Sequence, residues 1–193
     1  MRIAISGTHC SGKTTLIDEF LLTHPEYSHE PEAYAVLQED YGEAFSAEPS
    51  AEEFYRQLEF NVSRLKLYAQ GECVIFERCP ADYLAYMLAL RDLSRDNAAL
   101  RVADSSLDLV GDAIQCLDVI VFLPAGDARV TVMPDLEDPA LRRTVDSRLQ
   151  GILTDDDFGL FGSGRPLILE ATGTTARRLR ILEAALQEHA TGN

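Results

Sequence analysis

The sequence GTHCSGKT, residues 7–14, decides the fold, because it satisfies the pattern G-x-x-x-x-G-K-[ST] in full. An apolar, β-prone run precedes it at residues 1–6, and residues 13–23 place apolar side chains at helical spacing. A strand, a glycine-rich loop and a helix in this order are typical of a phosphate-binding loop (P-loop). A coincidental glycine-rich turn is the alternative, and the flanking strand and helix argue against it.

The P-loop predicts how a nucleoside triphosphate would be held. Backbone N–H groups surround the phosphates, Lys13 reaches the β- and γ-phosphates, and Thr14 offers a hydroxyl to Mg²⁺. Neither an N-K-x-D signature nor a suitably placed D-x-x-G element occurs, so ATP is preferred over GTP. The residues expected to bind the nucleotide are Gly7, Thr8, His9, Cys10, Ser11, Gly12, Lys13, Thr14 and Thr15.

Strands alternate with helices along the rest of the chain. Strands are predicted at residues 1–6, 27–30, 73–77, 117–123 and 166–170, and helices at residues 13–23, 33–40, 50–69, 81–91, 100–116, 138–150 and 174–189. The helix at residues 100–116 is expected to contain breaks. This order predicts an α/β fold of three layers, with a five-stranded parallel sheet and helices on both faces, as one P-loop domain over residues 1–193.

The composition of the chain limits the kinds of partner and the cellular compartment that we expect. A formal net charge of −15 disfavours nucleic acid and anionic lipid, and no apolar run approaches the roughly 20 residues that span a bilayer. The four cysteines show no metal-ligand spacing, and no signal peptide precedes the first strand. We therefore expect reduced thiols in a cytoplasmic protein that contacts neither nucleic acid nor membrane.

A carboxylate and a guanidinium, Glu77 and Arg78, end the third predicted strand. Ligands of open α/β sheets bind at the carboxyl edge, where the P-loop also lies. Glu77 could therefore hold Mg²⁺ through water, and Arg78 could contact phosphate or the acceptor while negative charge shifts during transfer. An exposed ion pair at a strand end is the alternative.

Glu30 ends the second predicted strand and is a candidate for the base that accepts a proton from a substrate hydroxyl. Glu32 lies two residues further on and competes for this role, although Pro31 directs the two side chains differently. We prefer Glu30, with a solvated loop glutamate as the alternative.

A lid-like segment of about residues 135–154 carries arginines on its predicted helix. Such a segment could close over the triphosphate, where the planar guanidinium suits phosphate oxygens. Arg142 and Arg148 are the candidates for offsetting charge in the transition state. They are six residues apart, so both do not lie centrally on one helix face, and Arg142 ranks first.

Three blocks of the sequence resemble P-loop small-molecule kinases: RIAISGTHCSGKTTL at residues 2–16, EPEAYAVL at residues 30–37 and VIFERCPADYLAY at residues 74–86. They are similar to the AAA-like ATPase group that includes the kinase domain of nicotinamide-riboside-phosphorylating proteins. The Glu-Pro and Glu-Arg pairs also resemble motifs of deoxynucleoside kinases, although Cys79 stands where those enzymes have serine and Asp82 lies one residue nearer the Glu-Arg pair than their aspartate.

The resemblance implies roles for individual residues. Glu30 would match the hydroxyl-activating base, Glu77 the magnesium-linked acid, and Arg78 the arginine that contacts phosphate or acceptor. The lid arginines of those kinases would correspond to a position within residues 142–148.

Residues and resemblance together predict an ATP- and Mg²⁺-dependent phosphotransferase that acts on a small hydroxyl-bearing, nucleoside-like metabolite. The alternative is a P-loop ATPase that acts as a nucleotide-dependent regulatory or binding module. The oligomeric state stays open, with a homodimer as one option.

Overall fold

Five parallel strands form one sheet in the computed structural model, which describes residues 1–68, 70–127, 138–162 and 166–191, without the side chains of 189–191. The strands are β1 (Arg2–Ser6), β2 (Ser28–Glu30), β3 (Val74–Glu77), β4 (Val119–Phe122) and β5 (Leu167–Glu170), in the sheet order β2-β3-β1-β4-β5. Because all the pairings are parallel, the carboxyl ends of the strands lie at one edge. The P-loop follows β1 at the centre of this edge.

Helices cover both faces of the sheet, which confirms the predicted three-layer α/β fold. They are α1 (Lys13–Thr23), α2 (Ala33–Glu39), α3 (Ala51–Leu65), α4 (Pro80–Asp92), α5 (Ala99–Ile114), α6 (Pro139–Leu153) and α7 (Thr175–Thr191), with a short 3₁₀ turn at Ala125–Asp127. One apolar core lies under α1 and α7, and a larger one lies under α3, α4, α5 and α6. Within the described residues, no helix combines the length and apolar character needed to cross a bilayer.

The central strand β1 is buried on both faces, which explains the apolar run at its centre, residues 3–5. Ile3 and Ile5 pack in the core beneath α1, with Leu16 and Phe20, whereas Ala4 belongs to the opposite core. Successive side chains of a strand point to opposite faces, so a strand covered by helices on both sides needs apolar residues throughout.

The structure corrects the predicted ends of α3 and α6 and the break expected within α5. α3 ends at Leu65, the last member of its buried stripe, and Tyr68 beyond it turns its hydroxyl to Glu30 instead of continuing the helix. α5 is continuous through Gly111, where a Cβ would make only an ordinary contact. α6 runs to Leu153, beyond the predicted end at residue 150, because its last turn is buried.

Candidate functional site

The P-loop backbone depends on its two glycines. Gly7 has φ +152°, and a Cβ there would lie 2.7 Å from the Ser11 hydroxyl oxygen and 2.8 Å from the Leu123 carbonyl oxygen. Gly12 caps α1 with φ +90°, and its Cβ would lie 3.1 Å from Nη1 of Arg178. Side chains at either position would strain the loop, so the backbone reaches the start of α1 unobstructed.

Lys13 is held inside the loop, with 4% of its surface exposed. Its ammonium group donates to the Thr8 carbonyl oxygen at 3.1 Å and lies 4.0 Å from a Glu77 carboxylate oxygen. Burial, with the nearby Arg78, lowers the pKa of Lys13, although Glu32 and Glu77 oppose this shift. An arriving phosphate would supply the negative charge that stabilises the ammonium form.

Thr14 and Glu77 offer oxygen ligands side by side. The Thr14 hydroxyl donates to Oε1 of Glu77 at 3.0 Å, and the glutamate is buried while the threonine is exposed. A hydroxyl and a carboxylate are ligands that suit Mg²⁺, which keeps waters and takes further ligands from phosphates. In the described part of the chain, no cluster of three or more His, Cys, Asp or Glu residues could hold a metal. Thr14 and Glu77 could therefore serve as a pair of Mg²⁺ ligands, with phosphate oxygens and water supplying the others.

Arg78 is a buried junction between the P-loop and the helix that follows β3. Its guanidinium donates to Oε1 of Glu32 at 2.6 Å, to the Gly7 carbonyl oxygen at 3.0 Å and to Oδ1 of Asp82 at 3.3 Å. Burial alone would lower the pKa of Arg78, but Glu32, Tyr86 and Asp82 raise it well above its ordinary value. The backbone of Arg78 adopts φ +76°, which is unusual for residues other than glycine and indicates strain at the edge of the site.

Asp82 also ties the P-loop to α4. Its Oδ1 accepts the Gly7 N–H at 3.0 Å, and its Oδ2 accepts the Cys79 N–H at 2.9 Å, in a side chain with no exposed surface. Sequence reasoning missed this role, although an acidic residue three positions after an N-cap is a recognisable capping signal.

The two candidate bases, Glu30 and Glu32, lie in different surroundings. Glu30 accepts two hydrogen bonds from Arg64, at 2.6 and 2.9 Å, and one from the Tyr68 hydroxyl, and it does not line the cleft described below. Glu32 lines that cleft and is bonded to Arg78. Pro31 thus directs the two carboxylates to different places, and the preference for Glu30 is not supported by its surroundings.

Both glutamates are held in the charged form. Burial alone would raise the pKa of Glu32, but Arg78 and Lys13 outweigh burial and lower the pKa below its ordinary value. Burial likewise opposes ionisation of Glu30, whose pKa is lowered by Arg64 and Tyr68. Glu32 is therefore a carboxylate at neutral pH with access to the cleft.

A cleft of about 900 Å³ opens beside the P-loop. His9 of the loop borders it, and two aromatic pairs flank it: Tyr34 with Phe45, whose ring centroids are 4.8 Å apart, and Phe54 with Tyr86, stacked at 4.6 Å. Its polar lining includes Glu32, Glu53, Gln57, Arg78, Arg95 and Arg142. Such a mixture of flat apolar surfaces and a few polar groups suits a small organic molecule.

The two predicted lid arginines occupy different surroundings. Arg142 lines the cleft, whereas Arg148 donates to Asp92 at the end of α4 at 2.6 Å and does not line it. A role for Arg148 in the site stays a prediction, and in this structure its guanidinium pairs with a carboxylate on the neighbouring helix. Of the lid-like segment, residues 135–137 lie outside the described residues, and α6 packs on the core through Val145 and Leu149.

This chain is similar to known proteins in its fold and in its sequence. The fold is similar to that of deoxyadenosine kinase from M. mycoides with bound dCMP and dCDP, with a TM-score of 0.67 and 13% identity over 97% of this chain and 100% of that chain. It is also similar to thymidylate kinase from Candida albicans, with a TM-score of 0.67 and 15% identity over 100% of this chain and 93% of that one. No curated protein matches the sequence significantly. Residues 2–158 match the AAA domain family, and the chain therefore belongs to that family.

Proposed function

We propose that this protein is an ATP- and Mg²⁺-dependent phosphotransferase that acts on a small, hydroxyl-bearing, nucleoside-like metabolite. One observation carries the proposal: a cleft large enough for such a molecule adjoins the P-loop and contains the carboxylate of Glu32. A nucleotide on the loop and an acceptor in the cleft would bring the γ-phosphate next to an acceptor hydroxyl. Bringing two reactants together in this way is a major source of rate enhancement.

The similar structures support this proposal. Deoxyadenosine kinase from M. mycoides, which also has a structure with bound dATP, and thymidylate kinase from Candida albicans both share the fold over nearly the whole chain. We therefore favour a small-molecule kinase over a regulatory ATPase.

On the nucleotide side, Lys13 and the loop N–H groups would bind the phosphates. Thr14 and Glu77 would hold Mg²⁺, which offsets the charge on the phosphates when it is bound. The Lys13 ammonium, now beside the Thr8 carbonyl and Glu77, would exchange these contacts for phosphate oxygens.

On the acceptor side, Glu32 is the residue that we propose as the base. It would accept the proton of the attacking hydroxyl, and Arg78 would fix its orientation through the 2.6 Å hydrogen bond. Arg142, which also lines the cleft, would offset charge on the transferred group. Glu30 would have a structural role, because its acceptor oxygens are engaged by Arg64 and Tyr68.

The charge of the cleft favours an acceptor that carries no phosphate before the reaction. Arg78 already faces Glu32 and Asp82, and Arg95 forms an ion pair with Asp138. Among the lining residues that the structure describes, four carry a carboxylate and three carry a guanidinium group: Glu32, Glu48, Glu53 and Asp138, and Arg78, Arg95 and Arg142. A dianionic monophosphate would enter a cleft of net negative charge, whereas a neutral or cationic nucleoside would not be repelled.

Acceptor-dependent ADP formation tests the proposal. Purified protein with MgATP would be assayed against a panel of nucleosides, including pyridine nucleosides, and against the corresponding 5′-monophosphates. We expect ADP formation to rise with one or more nucleosides and to stay at background with their monophosphates. ADP formation that no acceptor stimulates would instead indicate the regulatory ATPase.

Because none of the four cysteines forms a disulfide, a reducing cytoplasmic setting fits the same proposal.

A further inference from the structure

Arg178 on α7 contacts the P-loop from outside the motif. It is 4% exposed, and its Nη1 donates to the Ser11 carbonyl oxygen at 2.7 Å, across 167 positions of sequence. The same nitrogen would lie 3.1 Å from a Cβ on Gly12. The guanidinium therefore packs directly against the Ser11–Gly12 peptide.

This contact fixes the orientation of one peptide group of the loop. In a planar trans peptide, the C=O and the following N–H point in opposite directions. Holding the Ser11 carbonyl on the side of α7 directs the Gly12 N–H to the opposite side, towards the N-terminus of α1 where a phosphate would bind. Gly12 has no side chain to restrict its backbone, so a partner is needed to select one orientation.

The charge of Arg178 acts in the same direction. Arg178 lies beside the N-terminus of α1, whose N–H groups already attract anions. Burying its guanidinium costs free energy unless hydrogen bonds or a nearby anion compensate the charge. A fixed cation behind the loop would strengthen the attraction for phosphate.

We propose that Arg178 is a positioning residue for the nucleotide: from α7 it presets the Ser11–Gly12 peptide so that the loop binds the phosphate chain. This inference rests on the proposed binding of MgATP at the P-loop and is independent of the acceptor.

Equilibrium binding by calorimetry tests it with two phosphate ligands, MgATP and magnesium tripolyphosphate. Arg178→Gln removes the charge, and Arg178→Lys keeps the charge but not the planar fork. Arg180→Gln is the matched control, since Arg180 is exposed on the same helix and its loss changes the net charge equally. Each variant is measured well below its own unfolding midpoint, so that only folded protein is compared.

We expect Arg178→Gln to weaken both ligands by the same factor, on the order of tenfold, because the effect is confined to the phosphates. Arg178→Lys should lie between Arg178→Gln and the wild type, and Arg180→Gln should bind like the wild type. A residue that only filled the core would lower the unfolding midpoint and leave both affinities unchanged, which would overturn this inference. If Arg178→Gln does not fold, the test relies on Arg178→Lys. Binding of both ligands by Arg178→Lys with wild-type affinity would again overturn the inference. Wild-type protein that bound neither ligand would overturn the proposed function as well.

Discussion

The nucleotide side and the acceptor side of the site differ in how their polar groups are held. On the nucleotide side, buried contacts from other elements fix the loop: Asp82 and Arg78 hold Gly7, and Arg178 holds Ser11. On the acceptor side, paired aromatic rings flank an open cleft whose polar groups come from several helices and loops. The P-loop is thus held by buried contacts, whereas the cleft that we propose for the acceptor is open and built from several elements.

Loss of the loop cation should have the largest effect. Lys13→Ala removes the ammonium group that meets the phosphates, and we expect kcat/KM to fall by about 10³-fold. Steady-state ADP formation measures the effect, and circular dichroism checks that the variant is folded. Activity within tenfold of the wild type would show that this loop does not hold the reacting phosphates.

Separate substitutions of Glu32 and Glu30 test which of the two carboxylates acts as the base. Glu32→Gln removes the carboxylate in the cleft, and we expect kcat to fall by about 10²-fold with a smaller change in KM. Glu30→Gln is the matched control and should leave kcat within about twofold of the wild type, because Glu30 does not line the cleft. The opposite ranking in the same assay would return the role of base to Glu30.

The two arginines of α6 form a second matched pair. Arg142→Gln should lower kcat by about tenfold, the worth of one charged hydrogen bond in the transition state. Arg148→Gln should leave kcat unchanged and cost no more than about 1 kcal/mol of stability, because its partner Asp92 lies in a half-exposed ion pair. Equal losses of kcat in both variants would indicate that α6 moves when the nucleotide binds.

The smallest effect is expected from Glu30 on stability. Its folded-state pKa is lowered, so its contribution is complete above the ordinary value of 4.5 and is lost as the pH falls through the folded-state pKa. Glu30→Gln should therefore lower the free energy of unfolding by about 1 kcal/mol at pH 7, a value reduced by the exposure of Arg64. Urea unfolding at pH 7 and at successively lower pH should show the difference shrink. A difference that grew towards acid pH would contradict this.

Local sequence predicts much of the fold and the phosphate site. The P-loop is contiguous, β4 is an unbroken apolar run, and β3 is apolar up to Glu77, so pattern and composition identify them. The break expected within α5 does not occur, because the isolated Gly111 is tolerated where the helix is packed.

The rest of the site depends on contacts between distant residues. Glu30 and Glu32 differ in their surroundings because they pair with Arg64 and Arg78, which lie far along the chain, and no local sequence pattern predicts such partners. Arg178 is one of several arginines on α7, and only the packing of that helix against the loop distinguishes it.

The most direct measurement follows a labelled γ-phosphate. The protein would be incubated with γ-labelled MgATP and an acceptor that stimulates ADP formation, and the products would be separated by mass spectrometry. If the cleft holds the acceptor beside the P-loop, the label appears on the acceptor in amounts equal to the ADP formed. Label recovered only in inorganic phosphate would show that water is the sole acceptor and would contradict a phosphotransferase.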